Sequence, residues 1–106
     1  MPKYLLRASY TAEGIKGLMK DGGTKRHAAA RRLVESLGGK LEALYYAFGE
    51  TDVMAIVDMP DNASAAAASL TIGGTGALTG NITVLLTHED IDKAVKKSGS
   101  YTPPGH

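Results

Sequence analysis

Val53-Met-Ala-Ile-Val57 restricts this chain more than any other stretch. It is apolar at every position, rich in β-branched residues, preceded by Asp52 and followed by Pro60. A run this short reads as a strand, and because alternate side chains point to opposite sides, it is apolar on both. Such a strand belongs in the middle of a sheet, covered on each face. The segment Lys40–Phe48 before it is the other arm of a hairpin. Strict alternation there puts Leu41, Ala43, Tyr45 and Ala47 on one face and Glu42, Leu44, Tyr46 and Phe48 on the other. The arms join through Phe48-Gly49-Glu50-Thr51-Asp52, where Gly49 is expected to supply a positive φ and Asp52 to bond back to the turn backbone.

The remaining strands lie at either end of this unit. In Lys3–Tyr10, Tyr4, Leu6, Ala8 and Tyr10 share one face, with Leu5, Arg7 and Ser9 on the other. Ile82-Thr-Val-Leu-Leu86 forms the core of the last strand, with Ala77–Asn81 a loop or that strand's beginning. Between the outer strands and the hairpin lie helical patterns. Thr11 caps a short helix carrying Ile15, Leu18 and Met19, weakened by Gly14 and Gly17. Thr24 is expected to cap a stronger one whose apolar face is Ala30, Leu33, Val34 and Leu37, ended by Gly38-Gly39. Asp61 caps an alanine-rich helix from Asn62 to about Ile72, ended by Gly73-Gly-Thr-Gly76. Thr87 and Asp90 form a capping pair for a C-terminal helix with Ile91, Ala94 and Val95 on its apolar side. Residues 1–97 are read as one domain and 98–106 as an extended tail, stiffened by Pro103-Pro104.

The order is β-α-β-β-α-β plus an extra C-terminal helix, an α+β, ferredoxin-like arrangement. Right-handed crossovers place both helical layers on one face of a four-stranded antiparallel sheet. The opposite face is then left open, although the middle strand is apolar there too. Met54 and Ile56 are the residues expected to meet a second copy of the chain across that face.

Charge and composition narrow the function classes. Twelve basic and eleven acidic residues leave a net charge of +1, so no whole-molecule field attracts nucleic acid or anionic lipid. There is no cysteine, which removes disulfide and thiol chemistry and fits a reducing compartment. The start Met-Pro-Lys-Tyr has no signal-peptide pattern and no apolar stretch approaches the ~20 residues of a membrane span, so a cytoplasmic location is expected. No helix-turn-helix pattern precedes the domain, and neither nucleic-acid nor membrane partners are expected.

Motifs with chemical potential are few. Gly22-Gly23-Thr24-Lys25-Arg26 offers N–H groups at a helix start, but it lacks phosphate-loop spacing and reads as helix punctuation. The Gly73–Gly80 cluster follows a helix and precedes a strand, the reverse of the order that seats a phosphate. His27, His88 and His106 are scattered, so no metal site and no cofactor is expected. Arg7, on an otherwise apolar strand, either lays its stem over apolar surface or points a cation into a covered cavity. Arg7, Tyr45, Tyr46, Glu50 and Asp52 are the candidate ligand-binding residues around such a cavity, though alternation prevents all of them from facing it.

Several of these stretches resemble the GYD domain family. They are Met-Pro-Lys-Tyr4, Thr11-Ala-Glu-Gly14, Lys25-Arg26 with Ala30-Arg31, Leu37-Gly-Gly-Lys40, Phe48-Gly-Glu-Thr-Asp-Val53, Val57-Asp-Met-Pro-Asp61 and the tail Tyr101-Thr-Pro-Pro-Gly105. The Gly-Tyr-Asp of the family name falls in the turn, where Thr51 here replaces the tyrosine and Gly49 and Asp52 remain. The resemblance implies a ferredoxin-like domain of the dimeric α+β barrel type, usually a homo-oligomer, and no particular reaction. The expected function is a non-enzymatic, self-associating module for a small ligand or an interaction. The alternative, by fold analogy alone, is a cofactor-free or metal-assisted oxygenase- or isomerase-type enzyme with its site between sheet and helices.

Overall fold

The computed structural model describes residues 1–106. Its elements run β1 (Lys3–Tyr10), α1 (Ala12–Asp21), α2 (Gly23–Ser36), β2 (Lys40–Tyr46), β3 (Val53–Asp58), α3 (Asn62–Gly73), β4 (Leu78–Leu85) and α4 (His88–Val95). The four strands form one sheet in the order β2-β3-β1-β4, and every neighbouring pair is antiparallel. The apolar run β3 therefore does occupy an interior position, between β2 and β1. The α+β, ferredoxin-like reading of the sequence holds.

The core lies between the sheet and helices α2 and α3. Tyr4, Val57 and Met59 from the sheet side pack with Val34 of α2 and Ala65 and Ala68 of α3. Leu6, Leu41, Ala55 and Ile82 join them from the same sheet face. The alanines let α3 lie close to the strands, and the Tyr4 hydroxyl donates to Asn62 Oδ1 at 2.5 Å, tying the first turn of α3 to the sheet. Asp61 and Thr87 cap as the sequence indicates: Asp61 Oδ1 accepts from Ser64 N, and Thr87 and Asp90 cap each other reciprocally. The same backbone bonds hold both carboxyls below the usual aspartate range.

Three local expectations are corrected, and one left open is decided. Strict alternation in β2 fails at Glu42, where a register shift between Leu41 and Ala43 shows a bulge. Leu41 then pairs with Val57 and Leu44 with Ala55, so both reach the helix-covered face rather than opposite ones. Thr24 does not cap α2; the helix begins at Gly23 with Gly22 (φ 80°) in the cap position, two residues earlier than expected, and no side chain caps it. The positive φ in the hairpin turn belongs to Phe48 (φ 54°), not Gly49, and Phe48 is held against the Tyr46 ring in a near-parallel stack, centroids 6.2 Å apart. Of the two readings of Ala77–Asn81, the strand's beginning is the one observed, with β4 starting at Leu78. Gly80 makes this possible, because a Cβ there would overlap the Arg7 carbonyl oxygen across the β1–β4 ladder.

The C-terminal end does not join the body. Every residue from Leu86 to His106 is exposed. The radius of gyration is 17.0 Å, against about 13 Å for a compact domain of this length. Helix α4 is capped but rests against no sheet face, leaving Leu86, Ile91, Val95 and Tyr101 open to solvent. No helix is long and apolar enough to cross a membrane.

Candidate functional site

A largely apolar, partly open cavity lies on the helix side of the sheet. Leu6, Ala55 and Val53 form the floor, Leu44 and Tyr46 one wall, Ala29, Ala30 and Leu33 of α2 the roof, and Ile72 of α3 the far end. Its volume is about 190 Å³. The space exists because α2 presents two consecutive alanines to the sheet where larger residues would fill it.

Polar groups gather at one side of this cavity. Tyr10, at the end of β1, and Tyr46, at the end of β2, both line it, and each is on the helix-facing side of its strand. Arg26 of α2 lines it from above. The Arg26 guanidinium has one partner, Asp21 Oδ2, at 3.5 Å, a length at which little hydrogen-bond strength remains. Tyr46 Oη reaches the Gly23 carbonyl at the same long distance. Burial, reinforced by the neighbouring Tyr46 and by the Asp52 charge, pushes the Tyr10 phenol up to about 12, with Arg26 opposing. Tyr10 is therefore a protonated hydrogen-bond donor at neutral pH and not a phenolate base.

This shift has a measurable consequence. In an unfolded chain tyrosine loses its proton near pH 10, whereas folded Tyr10 keeps it until about pH 12. Between those values the unfolded state binds fewer protons, so stability falls as pH rises; below that window both states are protonated and the contribution is complete. A Tyr10→Phe variant should lose this part of the alkaline fall in urea titrations and the latest-ionising tyrosine in an ultraviolet titration. An unchanged late phase would show that another residue is responsible.

The structure separates the residues proposed from sequence. Of the five, Tyr46 and Arg7 line the cavity, but only Tyr46 stands on the helix-facing side of its strand. Asp52 is structural: its Oδ2 accepts from Tyr10 N at 2.8 Å, its N–H donates to the Ala8 carbonyl, and its own carbonyl accepts from Ala47 N. It thus ties the turn to the end of β1, not to the turn's own backbone, and indirectly positions Tyr10. Arg7 and Tyr45 lie on the opposite, open face, in register with Met54. Arg7 Nε is buried without a partner there. Glu50 lies in the hairpin turn, and with Arg7, Ser9, Thr79 and Asn81 it lines a shallow polar depression at that side of the sheet. Met54 (36 % exposed) and the half-buried Ile56 occupy the middle of the open face beside Leu5 and Ala43.

Tyr10 and Arg26 were missed as site residues. The signal for Tyr10 was present: it shares a face with Tyr4 and Leu6, and the hairpin brings Tyr46 to the same end of the sheet. Arg26 was weighed only as part of a glycine loop. No group of three or more His, Asp or Glu side chains comes together in a way that could hold a metal ion.

Comparison with known proteins gives one match. The profile of the GYD domain family aligns with residues 4–95, from the first strand to the last helix. No curated protein and no solved structure matches the chain.

Proposed function

The chain belongs to the GYD domain family, and from that premise we propose that it works as a self-associating, non-enzymatic module that binds a small molecule in the cavity between the sheet and α2 and α3. The observation that carries this reading is the cavity itself: about 190 Å³, mostly apolar, with Tyr10, Tyr46 and Arg26 together at one side. At the rim Tyr10 stays protonated, and the Asp52 carboxylate holds the Tyr10 N–H through Oδ2. That favours binding over turnover.

Self-association is supported by the uncovered half of the middle strand. Leu5, Met54, Ile56, Ala43 and Tyr45 form one contiguous apolar area with no helix above it. Pairing two such faces would complete a two-layer barrel and give Arg7 a polar neighbourhood. The exposed C-terminal arm adds a second apolar surface, Ile91, Val95 (75 % exposed) and Tyr101 (79 % exposed), for a neighbouring copy.

Native mass spectrometry of gently purified protein tests both halves. Assemblies of at least two chains, carrying a small molecule lost on denaturation, are expected; empty single chains at micromolar concentration would overturn the reading. Deleting Leu86–His106 should leave the domain folded, with a melting temperature within a few degrees of the parent at equal concentration, because none of these residues is buried. The assembly should be weaker. Loss of cooperative unfolding would mean the arm belongs to the core after all.

A further inference from the structure

The polar side of the cavity restricts what can enter it, and this inference rests on the cavity being the binding site. We propose that the occupant is a compact apolar acid, about one ring in size with a single carboxylate, its acid group held by Arg26 and by the hydroxyls of Tyr10 and Tyr46.

Size is the first constraint. A dry cavity of about 150 Å³ lined by aliphatic and aromatic side chains accommodates benzene. At about 190 Å³, this one has room for a ring and a short substituent. The apolar lining, from Leu33, Leu44, Ala55 and Ile72 among others, suits a body with no hydrogen-bonding groups.

The rim is the second. Arg26 presents five N–H donors, of which only one meets a carboxylate, at 3.5 Å. Asp21 has a second cation in Lys25, at 3.8 Å, so it keeps a counter-charge if a ligand takes Arg26 from it. Tyr10 and Tyr46 add hydroxyls, while the Asp52 carboxylate already accepts from Tyr10 N. At this side the Arg26 N–H groups are the donors left most short of partners. A head group that only accepts, planar enough for the guanidinium fork, satisfies them best, and a carboxylate is both.

Direction is the third. Ser69, Ile72 and Gly73, which line the far side, belong to the last turns of α3, whose carbonyl end carries partial negative charge. An anion is repelled there and attracted to the Arg26 side, so the acid group and the apolar body have separate places.

Titrating the full-length protein with benzoate and with benzyl alcohol, followed by ¹H–¹⁵N chemical-shift changes, tests this. Benzoate is expected to bind at least tenfold more tightly than the alcohol, with shifts at Tyr10, Arg26 and Ala30. Arg26→Gln, at a half-buried rim position, should bring benzoate binding down to about that of benzyl alcohol. Ala30→Phe, which fills the cavity, should abolish both. Equal binding of the two probes, or a preference that survives Arg26→Gln, overturns the acid assignment but leaves the cavity as the site. Binding of neither probe, or benzoate binding that survives Ala30→Phe in a folded variant, overturns the cavity as the site and the acid assignment with it.

Discussion

Replacing Gly14 by alanine should destabilise this protein by about 2–4 kcal/mol, although alanine is the better helix former by about 1 kcal/mol. Gly14 is the buried position of α1. A Cβ there would fall on the carbonyl of Ala77 and lie 2.9 Å from the Tyr10 ring. That carbonyl cannot simply move away, because it accepts the Thr11 backbone N–H at 2.9 Å and so anchors the start of α1 to the start of β4. Gly17, one turn along the same helix, has nothing within 4 Å of its would-be Cβ. Gly17→Ala should therefore stabilise, by up to about 1 kcal/mol. The two substitutions are chemically identical and opposite in expected sign. Thermal denaturation at one fixed protein concentration compares them directly: Gly14→Ala should melt roughly 10 °C or more below the parent and Gly17→Ala slightly above it. A Gly14→Ala variant as stable as the parent would mean that α1 does not approach β4 as described.

The second large effect concerns assembly. Met54→Lys should produce a folded single chain, weakening self-association by at least two orders of magnitude in sedimentation experiments. In an isolated chain Met54 is 36 % exposed, so an ammonium there reaches water and costs the fold little. Between two paired sheets the same charge is desolvated, and a buried unpaired charge costs several kcal/mol, enough for such a change in dissociation constant. Lysine is a better probe than aspartate, because position 54 lies directly opposite Arg7 in the β1–β3 register. An acidic residue could pair with that orphaned guanidinium, whereas lysine adds to its charge. Met19→Lys, at an exposed position of α1, serves as the control and should assemble as the parent does. Unchanged assembly in Met54→Lys would remove the open face as the interface.

Much of the architecture was legible because its causes are local. The caps at Asp61 and Thr87–Asp90 depend on a side chain and an N–H three residues away, and both occur as read. The two-sided apolar pattern of β3 required an interior place in the sheet, and it has one. The turn was harder. Gly49 drew the expectation of a positive φ, but Phe48 takes it, held by its stack on Tyr46. Asp52, expected to serve its own turn, instead reaches the end of β1, a contact set by how the hairpin docks.

By itself, then, the amino-acid order determined the succession of strands and helices, the shared face of Tyr4, Leu6, Ala8 and Tyr10, and the existence of an apolar sheet face with no helix to cover it. Side-chain periodicity and capping act over a few residues, and they are readable wherever they act. Only tertiary structure decided the bulge at Glu42 that turns Leu41 and Leu44 to the same side, the void beneath Ala29 and Ala30, and the meeting of Tyr10, Tyr46 and Arg26 at its edge. Those depend on register and on distances between elements far apart in the chain, which no local pattern encodes. A cavity in particular is defined by the atoms that fail to fill it.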